Sequence, residues 1–380
     1  MRIKLAALMV ATAFIATSAE AKTVSGSAHG ISWSATSNII GKTSTATVAG
    51  GGDPRFLAQR PRYSGTVGLL MDYGAGGQFV CSGSLVRGNS IVTAGHCVSD
   101  GSSKRPDKVT AFFYDGNSTD PLVYRDGAIG VTTVDVGAIH VNPLYTGEVI
   151  DDHDIAVLKL VGAPPSFAKA YGFYTGTDLT GLSYRIAGYG GRSDVGGALG
   201  VDLSVGRLRQ GVNRYDFRLG DPDFQGFFAG GPNGFFGTAE TDFSYISDFD
   251  SGARAQDASC RLAVDGFGLA PSGKYCNRGG GRTEVSSAGG DSGGPQFIHG
   301  KLASVTSFGL SFGTGFGDID GKVNSTFGEF NGFVPIFNNI GFLNGAVPEP
   351  STWAMMVVGF GVVGGAMRRR QSERKTVSLA

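Results

Sequence analysis

The sequence predicts an all-β fold built from antiparallel strands. Its 380 residues include 63 glycines, and stretches with helical periodicity are scarce between the two termini. Short apolar runs alternate instead with clusters of glycine, asparagine, aspartate and serine, a pattern typical of strands joined by turns. We therefore expect the middle of the chain to form β-barrels connected by loops.

The composition is that of a folded protein without a surplus of either charge. Hydrophobic residues make up 41% of the chain and charged residues 17%, and the length suffices for one large domain or two small lobes. Lysine plus arginine number 32, as do aspartate plus glutamate. Because no basic surplus is available to neutralise phosphates or to hold an anionic membrane surface, a nucleic-acid partner is not expected.

The N-terminus has the three parts of a secretory signal peptide. Arg2 and Lys4 come before an apolar run over residues 5–17, and Ala19-Glu20-Ala21 provides small residues for cleavage. We assign residues 1–21 to the signal peptide and residues 22–64 to a leader or pro-segment. A buried N-terminal helix is the alternative, but it would not need basic residues first and small residues last.

The C-terminus has the features of a membrane-retention segment. Pro348-Glu349-Pro350 leads into an apolar helix predicted over residues 353–367, and three arginines follow at residues 368–370. Arginines favour the cytoplasmic side, which places the rest of the chain across the membrane, in agreement with the signal peptide. At about 1.5 Å per residue the run is short for a bilayer core of about 30 Å, which favours temporary retention over a durable anchor.

Residues 347–370 resemble the PEP-CTERM sorting tail of Gram-negative bacteria, in which an exosortase recognises a Pro-Glu-Pro motif, an apolar helix and an arginine cluster. The resemblance implies an exosortase-type processing enzyme as a partner. It also implies a cell-surface or extracellular location after transient residence in the inner membrane. An ordinary C-terminal membrane helix has the same topology and differs only in that its tail is not cut.

The cysteines predict two disulfides, because the chain has four of them and is expected to be exported to an oxidising compartment. Four cysteines allow three pairings. Joining each to its near neighbour, Cys81 to Cys97 and Cys260 to Cys276, is the most economical one. A zinc site is the alternative, but these spacings contain no Cys-x-x-Cys pair.

A glycine-rich segment holds the candidate nucleophile. Residues 289–295 read GGDSGGP, and the serine is Ser292. A serine hydroxyl needs activation to act as a nucleophile, and flanking glycines let the backbone turn tightly so that amide N–H groups point at a developing oxyanion. We expect the N–H groups of Gly290 and Ser292 to form this oxyanion hole.

Two further segments hold the residue types that activate a serine. Residues 91–97 read IVTAGHC and end a short β run at His96, which can take a proton near neutral pH and return it to a leaving amine. Residues 151–160 read DDHDIAVLKL and place Asp154 at the start of an apolar strand, where its carboxylate can hold one imidazole tautomer. Each segment is weak evidence alone, but together with Ser292 they predict a catalytic triad.

The chain order of the three residues separates two classes of hydrolase. Residues 290–294 (GDSGG) also fit the Gly-x-Ser-x-Gly elbow of α/β-hydrolases, which requires an acid and then a histidine after the serine. The only later histidine is His299, and no Asp or Glu separates it from Ser292. The order His, Asp, Ser is that of the chymotrypsin group.

Residues 65–343 resemble trypsin-like and chymotrypsin-like serine peptidases. Besides the three segments above, the likeness is carried by FVCSGSLV at residues 79–86, AIHVNPLY at 138–145, GYG at 188–190 and SFG at 307–309. The resemblance implies two antiparallel six-stranded β-barrels, the first over about residues 65–165 and the second over about 180–343, with the active site between them.

The resemblance also implies substrate-binding residues. Ser307, Phe308 and Gly309 would belong to a strand that pairs with the substrate backbone, with Phe308 in place of the usual tryptophan. Ser286 lies six positions before the nucleophile and would form the floor of the primary specificity pocket. A neutral residue there favours large apolar side chains over Arg or Lys.

The chain departs from the family pattern in two places. The Gly- and Phe-rich region over about residues 191–255 has no counterpart in compact family members, and we interpret it as an insertion, either a substrate-contacting element or a set of solvated surface loops. Ala288 replaces the cysteine that the family has just before the oxyanion glycines, so the specificity loop lacks a disulfide.

Activation by processing is a further implication of the resemblance. In the family a new apolar N-terminus inserts, and its ammonium pairs with the aspartate before the nucleophile, here Asp291. Residues 39–42 (IIGK) and 48–51 (VAGG) both resemble such a start. Neither follows a basic residue, so trypsin-like activation is not implied, and both segments can also be ordinary leader residues.

These patterns predict a secreted serine endopeptidase that acts on proteins or peptides through an acyl-enzyme, with no cofactor and no metal site. Acidic loops such as residues 248–250 (DFD) leave room for calcium, although the sequence gives no basis for a calcium site. The alternative is an inactive surface or matrix binding protein with the peptidase fold; the sorting tail favours it and the three intact triad positions disfavour it. An esterase on the same barrels would share the chemistry.

Overall fold

The computed structural model describes residues 24–28, 31–36, 39–58, 61–116 and 120–347. The predicted signal peptide over residues 1–21 and the apolar helix predicted over 353–367 lie outside the described residues. Within the described ranges, no helix has both the length and the apolar character needed to cross a membrane.

The described chain is built mainly of strands. In chain order they are β1 (Val24–Ala28), β2 (Ile31–Thr36), β3 (Ile40–Gly41), β4 (Thr66–Asp72), β5 (Gln78–Leu85), β6 (Ser90–Thr93), β7 (Lys108–Tyr114), β8 (Val131–Val141), β9 (Ala156–Leu160), β10 (Ser183–Gly188), β11 (Arg209–Arg214), β12 (Phe217–Arg218), β13 (Tyr245–Asp248), β14 (Val285–Ser286), β15 (Pro295–Ile298), β16 (Lys301–Ser311) and β17 (Phe330–Pro335). The α-helices are α1 (Ala258–Arg261) and α2 (Ile340–Ala346), and a π-helical turn at Leu262–Gly266 follows α1. Short 3₁₀ helices lie at Val48–Gly50, Pro54–Phe56, Gly74–Gly76, Pro222–Phe224, Arg254–Gln256, Gly281–Thr283, Thr314–Phe316 and Phe337–Asn339. The predicted all-β fold class is confirmed.

The first lobe is a closed antiparallel barrel. Its six strands pair in the order β4-β5-β6-β9-β8-β7, and β7 pairs with β4 to close the barrel. Alternation along the strands sends one set of side chains inward, so that Val67 and Leu69 of β4 pack with Ile91 and Leu158. Because closure leaves no free strand edge in this lobe, the barrel is a rigid frame for the residues at its strand ends.

The second lobe is a curled sheet that stays open. Its strands follow the order β11-β10-β15-β16-β17-β13-β12, and the hairpin β1-β2 joins them at β16. Strand β16 bulges between Thr306 and Phe308; β15 pairs with its first half, and β2 pairs with residues 309–311 of its second half. The predicted chymotrypsin-like architecture is confirmed, with the differences that the second lobe is a curled nine-stranded sheet and not a closed six-stranded barrel, and that the leader hairpin covers the last part of β16.

A hydrophobic core joins the two lobes. Val92 and Val157 of the first barrel are buried in one cluster with Phe297 of the second sheet. The hydroxyl of Tyr189, which follows β10, donates to the carbonyl of Thr66 at 3.2 Å. The lobes are thereby held against each other over their shared apolar face.

Part of region 191–255 belongs to the second sheet. Strands β11 and β13 pair with β10 and β17, and β12 pairs with β13. The interpretation of this region as solvated surface loops is therefore wrong for these strands. Their burial is hard to foresee, because the buried positions of β11 are Arg209, Gly211 and Asn213, which give no apolar alternation.

The phenylalanines of the region form a buried aromatic cluster. Phe217, Phe224 and Phe228 are buried, with ring centroids 4.8 Å apart for the first pair and 5.2 Å for the second. They pack in the same core as Phe308 and Phe330. The Phe-rich composition of this region thus builds core and not exposed surface.

Candidate active site

His96 and Asp154 meet because their segments are neighbours in the first barrel. Thr93 at the end of β6 and Ala156 at the start of β9 are antiparallel partners, so the residues just beyond them reach the same end of the barrel. His96 Nδ1 lies 2.7 Å from Asp154 Oδ2, and the backbone N–H of His96 donates to Asp154 Oδ1 at 2.7 Å. One carboxylate therefore fixes both the ring and the backbone of His96.

A third hydrogen bond to Asp154, besides the two from His96, comes from the second lobe. Its carboxylate is buried, and the hydroxyl of Ser307 in β16 donates to Oδ2 at 2.5 Å. The sequence predicts Ser307 in a substrate-pairing strand but gives no signal for this side-chain contact. A buried carboxylate requires such donors, and the three together hold Asp154 in place beneath the imidazole.

The other ring nitrogen of His96 is not engaged. Among the described residues, His96 Nε2 has no hydrogen-bond partner, and the side chain is 24% exposed. His96 and Ser292 line the same cavity, which has a volume of about 250 Å³. A proton acceptor and a hydroxyl therefore line one cavity, without a hydrogen bond between them. Catalytic hydrogen bonds of this kind often tighten only when substrate binds.

The turn that carries Ser292 is attached to the first barrel by Ser82 of β5. The Ser82 N–H donates to the carbonyl of Ser292 at 2.8 Å, and the Ser82 hydroxyl donates to the carbonyl of Gly290 at 2.9 Å. The same hydroxyl accepts the N–H of Tyr189 at 3.0 Å. A single side chain thus connects the Ser292 turn with the first strand of the second lobe, a role that no sequence motif indicates.

The glycines around Ser292 are required by the backbone. Gly290 and Gly293 have φ angles of 97° and 75°, and a Cβ on Gly293 would lie 2.0 Å from Thr93 Oγ1. Any other residue would be strained or would clash. In the part of the chain that the structure describes, the N–H groups of Gly290 and Ser292 have no hydrogen-bond acceptor, so both are available as donors.

Asp291, directly before Ser292, is fully buried and accepts backbone N–H groups. Gly190 donates to Oδ1 at 2.8 Å, Ala288 donates to Oδ2 at 2.9 Å, and Ile39 also donates to Oδ2. Burial raises the pKa of Asp291 well above its usual range. A positive charge at this position would therefore stabilise the ionised carboxylate.

Only one of the two candidate N-terminal segments reaches Asp291. Ile39 is buried, and the following strand β3 pairs with β14. Val48, in contrast, lies in a 3₁₀ helix and is 50% exposed. The position of Ile39 therefore distinguishes two segments that the sequence leaves equivalent.

The predicted substrate-binding residues do not line the cavity. Ser286 is buried, and its hydroxyl donates to Asn331 Oδ1 at 2.9 Å. Phe308 lies in the aromatic cluster. Gly309 is paired with Thr36 of β2, so this part of the strand edge is covered by the leader hairpin. Their roles in substrate binding stay predictions.

Both disulfides join near neighbours, as predicted. The pairs are Cys81–Cys97 and Cys260–Cys276, with S–S distances of 2.04 Å and 2.06 Å. All four cysteines are used, which leaves none for the alternative zinc site. The first disulfide lines the cavity beside His96 and fixes the turn that carries it to β5.

Two β lobes, with a His-Asp pair and a glycine-flanked serine that line one cavity, form a structure consistent with the chymotrypsin-like class of fold. Residues 58–210 match the family model of trypsin, and residues 346–371 match the PEP-CTERM protein-sorting motif. The trypsin match includes His96 and Asp154 and ends before Ser292. Both resemblances predicted from the sequence are thereby confirmed.

The two matches support a coarse functional assignment. The trypsin-like domain supports a serine peptidase with protein substrates. The sorting motif supports export with a membrane-associated C-terminal tail and processing by an exosortase. The signal peptide over residues 1–21 stays a prediction.

Proposed function

We propose that the protein is an exported serine endopeptidase in which Ser292 is the nucleophile, His96 is the general base and Asp154 orients the imidazole. The proposal rests on the 2.7 Å contact between His96 Nδ1 and Asp154, which leaves Nε2 as the ring nitrogen able to accept a proton from a hydroxyl. The position of His96 and Ser292 in the lining of the same cavity supports it further.

The proposed reaction passes through an acyl-enzyme. His96 Nε2 takes the proton of Ser292 Oγ as that oxygen bonds to the substrate carbonyl carbon, and the N–H groups of Gly290 and Ser292 donate to the resulting oxyanion. The imidazolium, held by Asp154, gives its proton to the amine as the C–N bond breaks. A water molecule then loses a proton to His96 and attacks the ester, and Ser292 leaves with that proton.

Labelling with a fluorophosphonate probe tests this assignment. The exported wild-type protein should be labelled covalently, because an activated serine attacks phosphorus, and Ser292→Ala should not be labelled. Ser103→Ala removes an exposed serine and is the matched control that should label like the wild type. Absence of labelling in a wild-type chain whose N-terminus is already Ile39, with an intact fold, would favour the alternative of a surface or matrix binding protein, which the sorting motif also accommodates.

We also propose that the enzyme prefers large apolar side chains before the bond it cleaves. Ser286 is neutral, and its hydroxyl is already bound to Asn331, so this position offers no charge to pair with Arg or Lys. Digestion of a mixed peptide library should give cleavage mainly after Phe, Tyr, Leu or Met. Cleavage mainly after Arg or Lys would exclude the proposed preference.

Maturation is proposed to occur at the bond before Ile39. Cleavage there would turn the N–H that binds Asp291 into an ammonium and so supply the positive charge that the buried carboxylate lacks. It would also separate hairpin β1-β2 from the rest of the chain and uncover residues 309–311 of β16. N-terminal sequencing of the active enzyme should read Ile-Ile-Gly-Lys. A start at Val48 or at Lys22 would contradict this site.

A further inference from the structure

A cluster of buried carboxylates lies at the end of β13 and the start of α1, outside the lining of the cavity that contains His96. Asp248 ends β13, Asp250 follows two residues later, and Asp257 precedes α1. These three residues are 2%, 0% and 3% exposed. One carboxylate oxygen from each lies within 4.8 Å of the others, a spacing at which a single cation can contact all three.

Asp250 is the unusual member, because its carboxylate has no partner. Both oxygens are buried, and neither makes a hydrogen bond to any of the described residues. Its neighbours are partly satisfied: the N–H of Ser259 donates to Asp248 Oδ2 at 2.8 Å, and that of Cys260 donates to Asp257 Oδ1 at 3.0 Å. Burying a carboxylate without any hydrogen-bond donor costs free energy of desolvation. A cation bound at Asp250 would offset that cost.

The surrounding charges increase the need for a cation. Glu284 is also buried; its Oε1 accepts the N–H of Asp250 at 2.6 Å, and its Oε2 has no hydrogen-bond partner within the described chain. Lys42 Nζ lies 3.7 Å from Glu284 Oε2 and is the one ammonium that forms an ion pair with these described acids.

We infer that Asp248, Asp250 and Asp257 bind a calcium ion, with Glu284 as the adjoining acid on the side of β14. All the donors are hard carboxylate oxygens, which suit Ca²⁺ or Mg²⁺ and not softer transition metals. Calcium is favoured over magnesium because Mg²⁺ keeps several waters and binds through few carboxylates, whereas this site concentrates buried carboxylates. The expectation of no metal site, made from the sequence, is replaced by this inference.

A second acidic cluster in the same lobe differs from the first in that its buried carboxylate oxygens accept hydrogen bonds. Oxygens of Asp318, Asp320 and Glu329 also lie within 4.8 Å of one another. There, however, Asp318 Oδ1 accepts the N–H groups of Asp320 and Gly321 at 3.0 and 3.1 Å, and Glu329 Oε1 accepts that of Thr326 at 2.7 Å. Within the described chain, none of these three acids has a buried oxygen without a hydrogen-bond partner, so we expect no ion there, and Asp320 provides a matched control.

The site is placed to influence catalysis, a consequence that rests on the proposed function. Glu284 directly precedes β14, which carries Ser286 and pairs with β3. The Lys42 N–H donates to the carbonyl of Glu284 at 3.3 Å. An ion that holds Asp250 and its neighbours would therefore steady the strand pair that brings Ile39 to Asp291.

The test is calcium binding by the whole exported chain in the Ser292→Ala background, which prevents self-digestion. After removal of bound metal with EGTA, isothermal titration with CaCl₂ should show one ion bound per chain. At a hundredfold excess over Kd the unfolding temperature should rise by roughly 5 °C. No heat of binding and no shift in unfolding temperature would overturn the inference, and an equal response to MgCl₂ would overturn the assignment to calcium.

Asp250→Asn separates a calcium ligand from a merely structural residue. In EGTA this variant should be at least as stable as the parent chain, because it removes an unpaired buried charge, yet it should lose the calcium-induced shift. Asp320→Asn should keep the full shift. A variant at Asp250 that still responds like the parent would contradict the site. Because both readouts are independent of activity, calcium binding without probe labelling would reject the proposed function and leave the site standing.

Discussion

The two lobes carry different parts of the proposed machinery. The first barrel is closed, lies wholly within the trypsin match, and presents His96 and Asp154 at the ends of neighbouring strands. The second sheet is open, carries Ser292, and buries ionisable groups such as Arg209 and Asp250. Pairing of β6 with β9 is enough to bring His96 and Asp154 together. The turn that carries Ser292 is held instead by buried hydrogen bonds of Ser82 and Asp291.

The largest effect is expected where the lobes meet. Ser292→Ala should lower kcat for peptide hydrolysis by roughly 10⁴-fold or more with little change in KM, because the nucleophile is lost and the binding surface is kept. Steady-state kinetics on a chromogenic peptide measures this. Retention of activity within tenfold of the wild type would mean that Ser292 is not the nucleophile.

The next largest effect on activity is expected from the loss of the Asp291 carboxylate in the second lobe. Asp291→Asn should lower kcat/KM of the mature enzyme by roughly 10²-fold or more, since breaking a buried ion pair typically costs about 3–5 kcal/mol. The uncleaved precursor should lose less, about 1–3 kcal/mol of unfolding free energy, because there the substitution removes an acceptor of backbone N–H groups and breaks no ion pair. Thermal unfolding of both forms and kinetics of the mature form check this. Exposed Asp126→Asn is the control, and equal losses in precursor and mature enzyme would contradict the ammonium partner.

A smaller effect is expected from the contact that crosses between the lobes. Ser307→Ala removes the donor to Asp154, and a lost buried hydrogen bond of about 1–3 kcal/mol predicts that kcat falls roughly tenfold while KM changes little. Ser307→Thr keeps the hydroxyl and should recover most of the activity. A rise in KM without a fall in kcat would show that Ser307 acts on substrate binding and not through Asp154.

The smallest effect is a dependence of stability on pH. Burial raises the pKa of Glu329 from its ordinary 4.5 to about 8. Between these values the folded state holds a proton that the unfolded state releases, so the stabilisation present below pH 4.5 is lost as pH rises through 8. Unfolding temperatures measured in EGTA should therefore fall less between pH 5 and pH 8 for Glu329→Gln than for the wild type. Parallel curves for the two proteins would disprove this contribution.

The features of the fold and of the candidate site that could be predicted are those that depend on short stretches of sequence. The surroundings of His96, Asp154 and Ser292 each carry a local pattern, and their order along the chain fixes the class. The two disulfides follow from near spacing, because the partners in each pair are 16 positions apart in the sequence. The all-β class follows from turn residues and short apolar runs.

The features that were not predictable are long-range and polar. Ser307 and Asp154 are 153 residues apart, and Ile39 and Asp291 are 252 apart, so no local pattern connects them. Strand β11 could not be recognised, because its buried Arg209 is compensated by Asp120 at 2.7 and 2.8 Å and not by an apolar environment. Hydrophobic periodicity indicates which face of a strand is apolar. It gives no signal for a strand whose buried side chains are polar and are stabilised by ion pairs and hydrogen bonds.

The pairing of β2 with β16 gives the leader a competitive advantage over any free peptide. A strand tethered to the same molecule acts at an effective concentration in the millimolar range, set by the tether and not by contact strength. A free peptide that pairs with residues 309–311 equally well must be present above that concentration to displace β2. The proposed cleavage before Ile39 would end this competition, because it cuts the tether between hairpin β1-β2 and the rest of the chain.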